Sequence, residues 1–69
     1  MIVLIVIYTQ DGCPKCNILK KKMNNKNIEY TECSDVDILV SKGIEFTPML
    51  EVENKMMDYT NAVKWVNER

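Results

Sequence analysis

Ile7-Tyr8-Thr9-Gln10-Asp11-Gly12-Cys13-Pro14-Lys15-Cys16 joins an apolar run to a basic, helix-forming one, with two thiols at the junction. On its N-terminal side, residues 2–8 are nearly all β-branched or aromatic, the pattern of a strand buried on both faces. Thr9-Gln10-Asp11-Gly12 breaks that strand. Pro14 suits the first position of a helix, where its missing N–H has no partner to lose. Ile18, Leu19 and Met23 then recur at roughly helical spacing, and Lys20, Lys21 and Lys22 spread around the rest of the surface. A helix is therefore predicted from Pro14 to about Asn25.

The rest of the chain reads outward from that unit. Residues 28–33 alternate as a second strand. Ser34-Asp35 can cap a short helix over 36–42, which Gly43 can end. Thr47-Pro48 precedes a third strand over 49–53, Asn54-Lys55 reads as a short turn, and 56–58 as a brief fourth strand. Thr60 or Asn61 can cap a last helix carrying Ala62, Val63, Trp65 and Val66. The expected fold class is α/β: a four-stranded mixed sheet with three helices, in the order β-α-β-α-β-β-α. A right-handed crossover makes the first two strands parallel, and the tight third connection makes an antiparallel hairpin. Helices are expected on both faces.

Composition narrows the function. Sixty-nine residues make one domain, 1–69, with no linker or repeat. The net charge of −1 argues against a nucleic-acid partner, which usually meets a basic excess. There is no histidine, which removes every mechanism built on imidazole. The apolar start lacks a preceding basic segment and a following small-residue cleavage site, and it is far short of the ~18–20 residues that span a bilayer. It reads as a buried strand. The expectation is a cytoplasmic monomer with no membrane partner. Three cysteines do not suit a disulfide-stapled secreted scaffold.

The chemistry gathers at Cys13 and Cys16. Cys13 falls at the cap of the predicted helix and Cys16 one turn on. Residues three apart on a helix have Cα atoms about 5 Å apart, which a disulfide can bridge. The open N–H groups and the dipole of the first turn favour an anion there, so a Cys13 thiolate is expected to be stabilised. Lys15 adds a positive charge, and Pro14 fixes the turn. Cys13, at the exposed end, is the expected nucleophile, and Cys16 the thiol that resolves a mixed disulfide. A purely structural bridge is the poorer reading, since a four-residue loop contributes about 2 kcal/mol against about 3 for a link to Cys33. The rival function is a metal or iron–sulfur carrier in which two subunits share these cysteines, because such sites usually take four ligands. Cys33 and Trp65 read as packing residues, and Tyr8 either flanks a substrate or simply ends the first strand.

The Cys-Pro-Lys-Cys motif after a first strand, together with Thr47-Pro48 before the third, resembles the small glutaredoxins and thioredoxin-like redoxins across essentially the whole chain. The resemblance implies a thioredoxin fold and a thiol–disulfide oxidoreductase with Cys13 as nucleophile and Cys16 as resolving thiol. It implies a cis Pro48 facing the cysteines and a substrate main chain docked before it. Substrate contacts are expected from Tyr8, Gln10, Pro14, Lys15, Thr47, Pro48 and Asp58. No bound cofactor or metal is implied. The partners would be disulfide-containing proteins or small molecules, and a reductase. Two departures bear on the electron source. Many glutaredoxins carry Lys or Arg where this chain has Gln10, followed here by Asp11. Many also carry a Gly-Gly-Asp-like turn where this chain has Met56-Met57-Asp58-Tyr59-Thr60, leaving Asp58 or the Thr60 hydroxyl to serve. Glutathione and an NADPH-dependent thioredoxin reductase therefore both stand as electron sources.

Overall fold

The computed structural model describes residues 4–69, so residues 2 and 3 of the expected first strand lie outside the described residues. β1 (Ile5–Tyr8) is followed by α1 (Pro14–Asn25), β2 (Thr31–Cys33), α2 (Val36–Ser41), β3 (Met49–Val52), β4 (Lys55–Met57) and α3 (Tyr59–Asn67). The sheet order is β2-β1-β3-β4. β1 pairs parallel with β2, with Val6 opposite Thr31 and Tyr8 opposite Cys33. It pairs antiparallel with β3, with Ile5 opposite Val52 and Tyr8 opposite Met49. β3 and β4 form an antiparallel hairpin. The expected element order and mixed sheet are found.

Strand alternation assigns the two faces. Ile5 and Ile7 of β1 and Leu50 and Val52 of β3 point to one face. There they meet Leu19 and Met23 of α1 and Ala62 and Val66 of α3, forming the main core. The alternate positions Tyr8 and Glu51 point to the other face. Lys42, just after α2, reaches over it, with its Nζ 5.7 Å from the Tyr8 ring centre and 3.6 Å from Glu51 Oε1. Leu39 is the buried anchor of α2. The site-bearing strand β1 thus has the main core on one face and the Tyr8–Glu51–Lys42 group on the other.

Three boundaries differ from the sequence expectations. The second strand begins at Thr31 rather than at 28, because the preceding residues finish α1. Asn27 adopts φ +57, and the N–H groups of Asn27 and Ile28 bond the carbonyls of Asn24 and Met23, closing the helix as a left-handed cap. The hairpin turn sits at Glu53-Asn54 rather than Asn54-Lys55. Both residues have positive φ (50 and 69), as the favoured two-residue hairpin turn requires, and Lys55 already pairs with Val52. The last helix is capped by Asp58 rather than Thr60 or Asn61: its carboxylate accepts the Asn61 N–H at 2.9 Å. α2 ends as expected, with Gly43 at φ +71 and the Gly43 and Ile44 amides bonded back into the last turn.

Candidate active site

The site begins where β1 releases the chain. Thr9, 2% exposed, still donates its N–H to the Cys33 carbonyl, continuing the parallel ladder by one bond. Gly12 then takes φ +72 in open space, so glycine serves the turn there rather than a close approach. Cys13 is the N-cap of α1, with extended backbone (φ −101, ψ 102), and Pro14 opens the helix. Cys13 Sγ accepts the Cys16 N–H at 3.1 Å, the role an Asp or Ser side chain usually plays at this position.

Cys13 and Cys16 are joined as a disulfide with Cα atoms 5.3 Å apart, inside the roughly 4.4–6.8 Å range the bond needs. Their environments differ. Cys13 is half-buried, whereas Cys16 is 1% exposed, under the first turn of α1. Of the pair, Cys13 is therefore the residue open to solvent. The open helix N-terminus lies behind its sulfur.

The loop before β3 supplies the facing wall. The Thr47–Pro48 peptide bond is cis, and Pro48 is fully buried. The Thr47 hydroxyl donates to Cys13 Sγ at 3.7 Å. A groove of about 440 Å³ opens beside them, lined by Lys15, Phe46, Thr47, Pro48, Met49, Asp58, Tyr59 and Thr60. Of the seven substrate positions expected from sequence, Lys15, Thr47, Pro48 and Asp58 are brought together in that groove. Gln10 and Pro14 are exposed and do not line it. Tyr8 is 3% exposed, and its hydroxyl donates to Glu51 Oε1 at 2.7 Å, on the sheet face opposite the main core. Lys15 extends its ammonium over the Tyr59 ring, 5.4 Å from the centre, and so bridges α1 to the start of α3.

Phe46 and Tyr59 were not singled out from the sequence. Phe46 sits in a segment whose loop character hides its proximity to the cysteines, and only the pairing of β3 with β1 brings it there. Two polar clusters were also missed. Thr9 Oγ1 and Lys20 Nζ share Glu32 Oε2 at 2.9 and 3.0 Å, tying β1, α1 and β2 together next to the loop. The Lys20 ammonium and then the Thr9 hydroxyl hold the Glu32 carboxyl below its usual range. On the opposite face, burial, the hydrogen bond to Glu51 and the charge of Glu51 push Tyr8 up to about 12. The hint in sequence was Glu51 itself, a carboxylate in the middle of an otherwise apolar strand.

A four-stranded mixed sheet flanked by three helices, with a cysteine pair spanning the first turn of α1 and a cis proline facing it, defines a thioredoxin-fold protein with a redox-type dithiol. The glutaredoxin family profile matches residues 5–68, and the chain belongs to the glutaredoxin family. Thiol–disulfide redox chemistry comes with that membership. Among solved structures, the fold is similar to glutaredoxin 1 from Francisella tularensis in complex with cacodylate. The TM-score is 0.74 at 21% identity, over 97% of this chain and 94% of that one. It is equally similar to a threonine-to-alanine mutant of the thioredoxin-like protein BC3987, again with a TM-score of 0.74 at 21% identity, over 91% of this chain and 97% of that one. A comparison with curated proteins gives no match. Among the described residues, no group of three or more Cys, Asp and Glu side chains gathers to hold a metal ion, and no helix is long and apolar enough to cross a membrane.

Proposed function

We propose that the protein reduces protein or low-molecular-weight disulfides by a dithiol mechanism. The Cys13 thiolate attacks one sulfur of the substrate, the substrate S–S bond breaks, and the departing thiolate takes a proton from water. The Cys16 thiolate then attacks Cys13 and releases the second substrate thiol. Two electrons have passed to the substrate, and the Cys13–Cys16 disulfide remains, to be reduced in turn by glutathione or by an NADPH-dependent thioredoxin reductase. The observation that carries this reading is the asymmetry of the pair. The half-exposed Cys13 sulfur receives two hydrogen-bond donors, while Cys16 is 1% exposed and bonded to the same sulfur. Lys15, Thr47, Pro48 and Asp58 line the surface against which the substrate lies. Such a cycle suits a monomer in a reducing compartment such as the cytoplasm.

Insulin-disulfide reduction tests it, run with NADPH and thioredoxin reductase in one arm and with NADPH, glutathione and glutathione reductase in the other. Wild type is expected to turn over in at least one arm, and Cys13→Ser in neither. Cys16→Ser is expected to accumulate a mixed disulfide on Cys13, visible as a mass increase that dithiothreitol removes. Folded, reduced wild-type protein that is inactive in both arms would remove the proposal.

A further inference from the structure

Phe46 is 77% exposed, the highest exposure of any large apolar side chain among the described residues. It lies outside the main core, yet it lines the groove together with Thr47 and Pro48. Its neighbour Thr47 donates to Cys13 Sγ, which sets the groove lined by Phe46 and Thr47 next to the sulfur where a substrate disulfide is attacked. Pro48, Met49 and Tyr59 line the same groove. Both charges in the groove are already engaged within the chain. The Lys15 ammonium lies over the Tyr59 ring, and the Asp58 carboxylate accepts the Asn61 N–H. Besides these charges and the Thr47 and Thr60 hydroxyls, the surface offers a ligand an aromatic ring, apolar side chains and loop main chain. Its volume of about 440 Å³ is ample for a short stretch of peptide.

We propose that Phe46 is a specificity-determining residue that takes up a bulky apolar side chain next to the cysteine of a disulfide-bonded peptide. The inference rests on Cys13 being the attacking sulfur. Burial of a ring that water otherwise covers is gained only when the substrate presents an apolar partner, so the contact discriminates between flanking residues. Peptides with small polar flanks react at the same sulfur without that gain.

The test uses two symmetric disulfide-linked peptides of equal charge, one with Leu and one with Ser on both sides of the cysteine. Fully reduced protein is mixed with each. In a single turnover the protein dithiol becomes the Cys13–Cys16 disulfide, and each peptide disulfide becomes two peptide thiols, so no recharging system enters. The second-order rate constants are compared for wild type, Phe46→Ala and Phe46→Leu, with thermal melts to show that each variant is folded. Wild type is expected to favour the Leu-flanked peptide by about tenfold, the low end of what one apolar contact discriminates. Phe46→Ala is expected to bring the ratio close to one, and Phe46→Leu to keep most of it. A wild-type ratio near one, or an unchanged ratio in Phe46→Ala, would overturn the assignment while leaving the dithiol mechanism standing. Failure of the wild type to reduce either peptide and a small disulfide such as 2-hydroxyethyl disulfide would instead remove the mechanism, and the assignment with it.

Discussion

The Thr47 hydroxyl donates to the Cys13 sulfur at 3.7 Å across 34 residues of chain. The contact exists because β3 pairs directly with β1, which delivers the loop ahead of Met49 to the exit of Tyr8. It adds a second donor to the Cys16 N–H at the same atom, and both stabilise a thiolate more than a thiol.

Thr47→Val keeps the shape and removes that donor. A hydrogen bond is worth about 1 kcal/mol net, so the Cys13 thiolate population at neutral pH should fall by up to about fivefold. Iodoacetamide labelling of the reduced protein in a Cys33→Ser background reports it, because Cys16 is 1% exposed and the free, half-buried Cys33 no longer competes for the reagent. The Thr47→Val rate should drop while the Cys16 N–H holds the residual reactivity. Equal labelling rates would show that the hydroxyl contact carries no weight.

Glu32 should make the fold acid-sensitive in a defined direction. Its carboxyl is held low first by Lys20 and then by Thr9, so the ionised form is favoured in the folded protein. The stabilisation is fully present above the carboxyl's unfolded range and is lost as pH falls through its lowered folded value. With 42% of the Glu32 side chain exposed, solvent screening makes the effect modest. Melting temperature followed downward from pH 6 should fall less steeply in Glu32→Gln than in wild type, and added salt should narrow the gap. Parallel curves at low salt would count against the Thr9–Glu32–Lys20 cluster.

Leu50 tests the main core. It is fully buried at the centre of β3 between α1 and α3. Truncation to alanine should cost about 2–5 kcal/mol, a large share of the roughly 5–15 kcal/mol that such domains have in total. Val36, 62% exposed on α2, is the internal control, and its alanine variant should stay within about 0.5 kcal/mol. Urea midpoints of the two variants decide it. Comparable losses would mean that α2 covers more than its exposure indicates.

The fold was legible because its signals are local. The apolar run into Tyr8, the proline after Cys13, Asp35 before α2 and Gly43 after it each act through backbone physics that a few residues determine. The cysteine pair was legible for the same reason, being one helical turn. Boundaries failed where one residue had two uses. Ile28 alternates correctly for a strand, but its amide is taken by the Met23 carbonyl. Asp58 reads as a strand end and serves as the α3 cap. Long-range contacts were beyond sequence reading altogether. Nothing near Phe46 or Thr9 announces which distant side chain each will face, since strand order and register decide it. Tyr8 is open in sequence to two readings, flanking a substrate or ending the first strand. It ends β1, and its hydroxyl reaches Glu51 on the neighbouring strand.

Tyr8 gives the complementary test at high pH. Burial, the hydrogen bond to Glu51 and the Glu51 charge raise it from 10.0 to about 12, so the neutral phenol is favoured in the folded state. A group raised in this way contributes fully below its unfolded value, and the contribution disappears as pH rises through its folded one. Between pH 10 and 12 the protein should therefore lose roughly 2–3 kcal/mol through this group. Tyr8→Phe should lose about 1 kcal/mol at neutral pH, where the hydrogen bond goes but Lys42 still pairs with Glu51 at 3.6 Å. Its alkaline decline should be shallower than that of wild type, and the tyrosinate absorbance titration should lose its component at about 12. Denaturation curves at pH 8 and pH 11 measure both effects. An alkaline decline as steep in Tyr8→Phe as in wild type would place the sensitive group elsewhere and reduce the Tyr8–Glu51 bond to a passive contact.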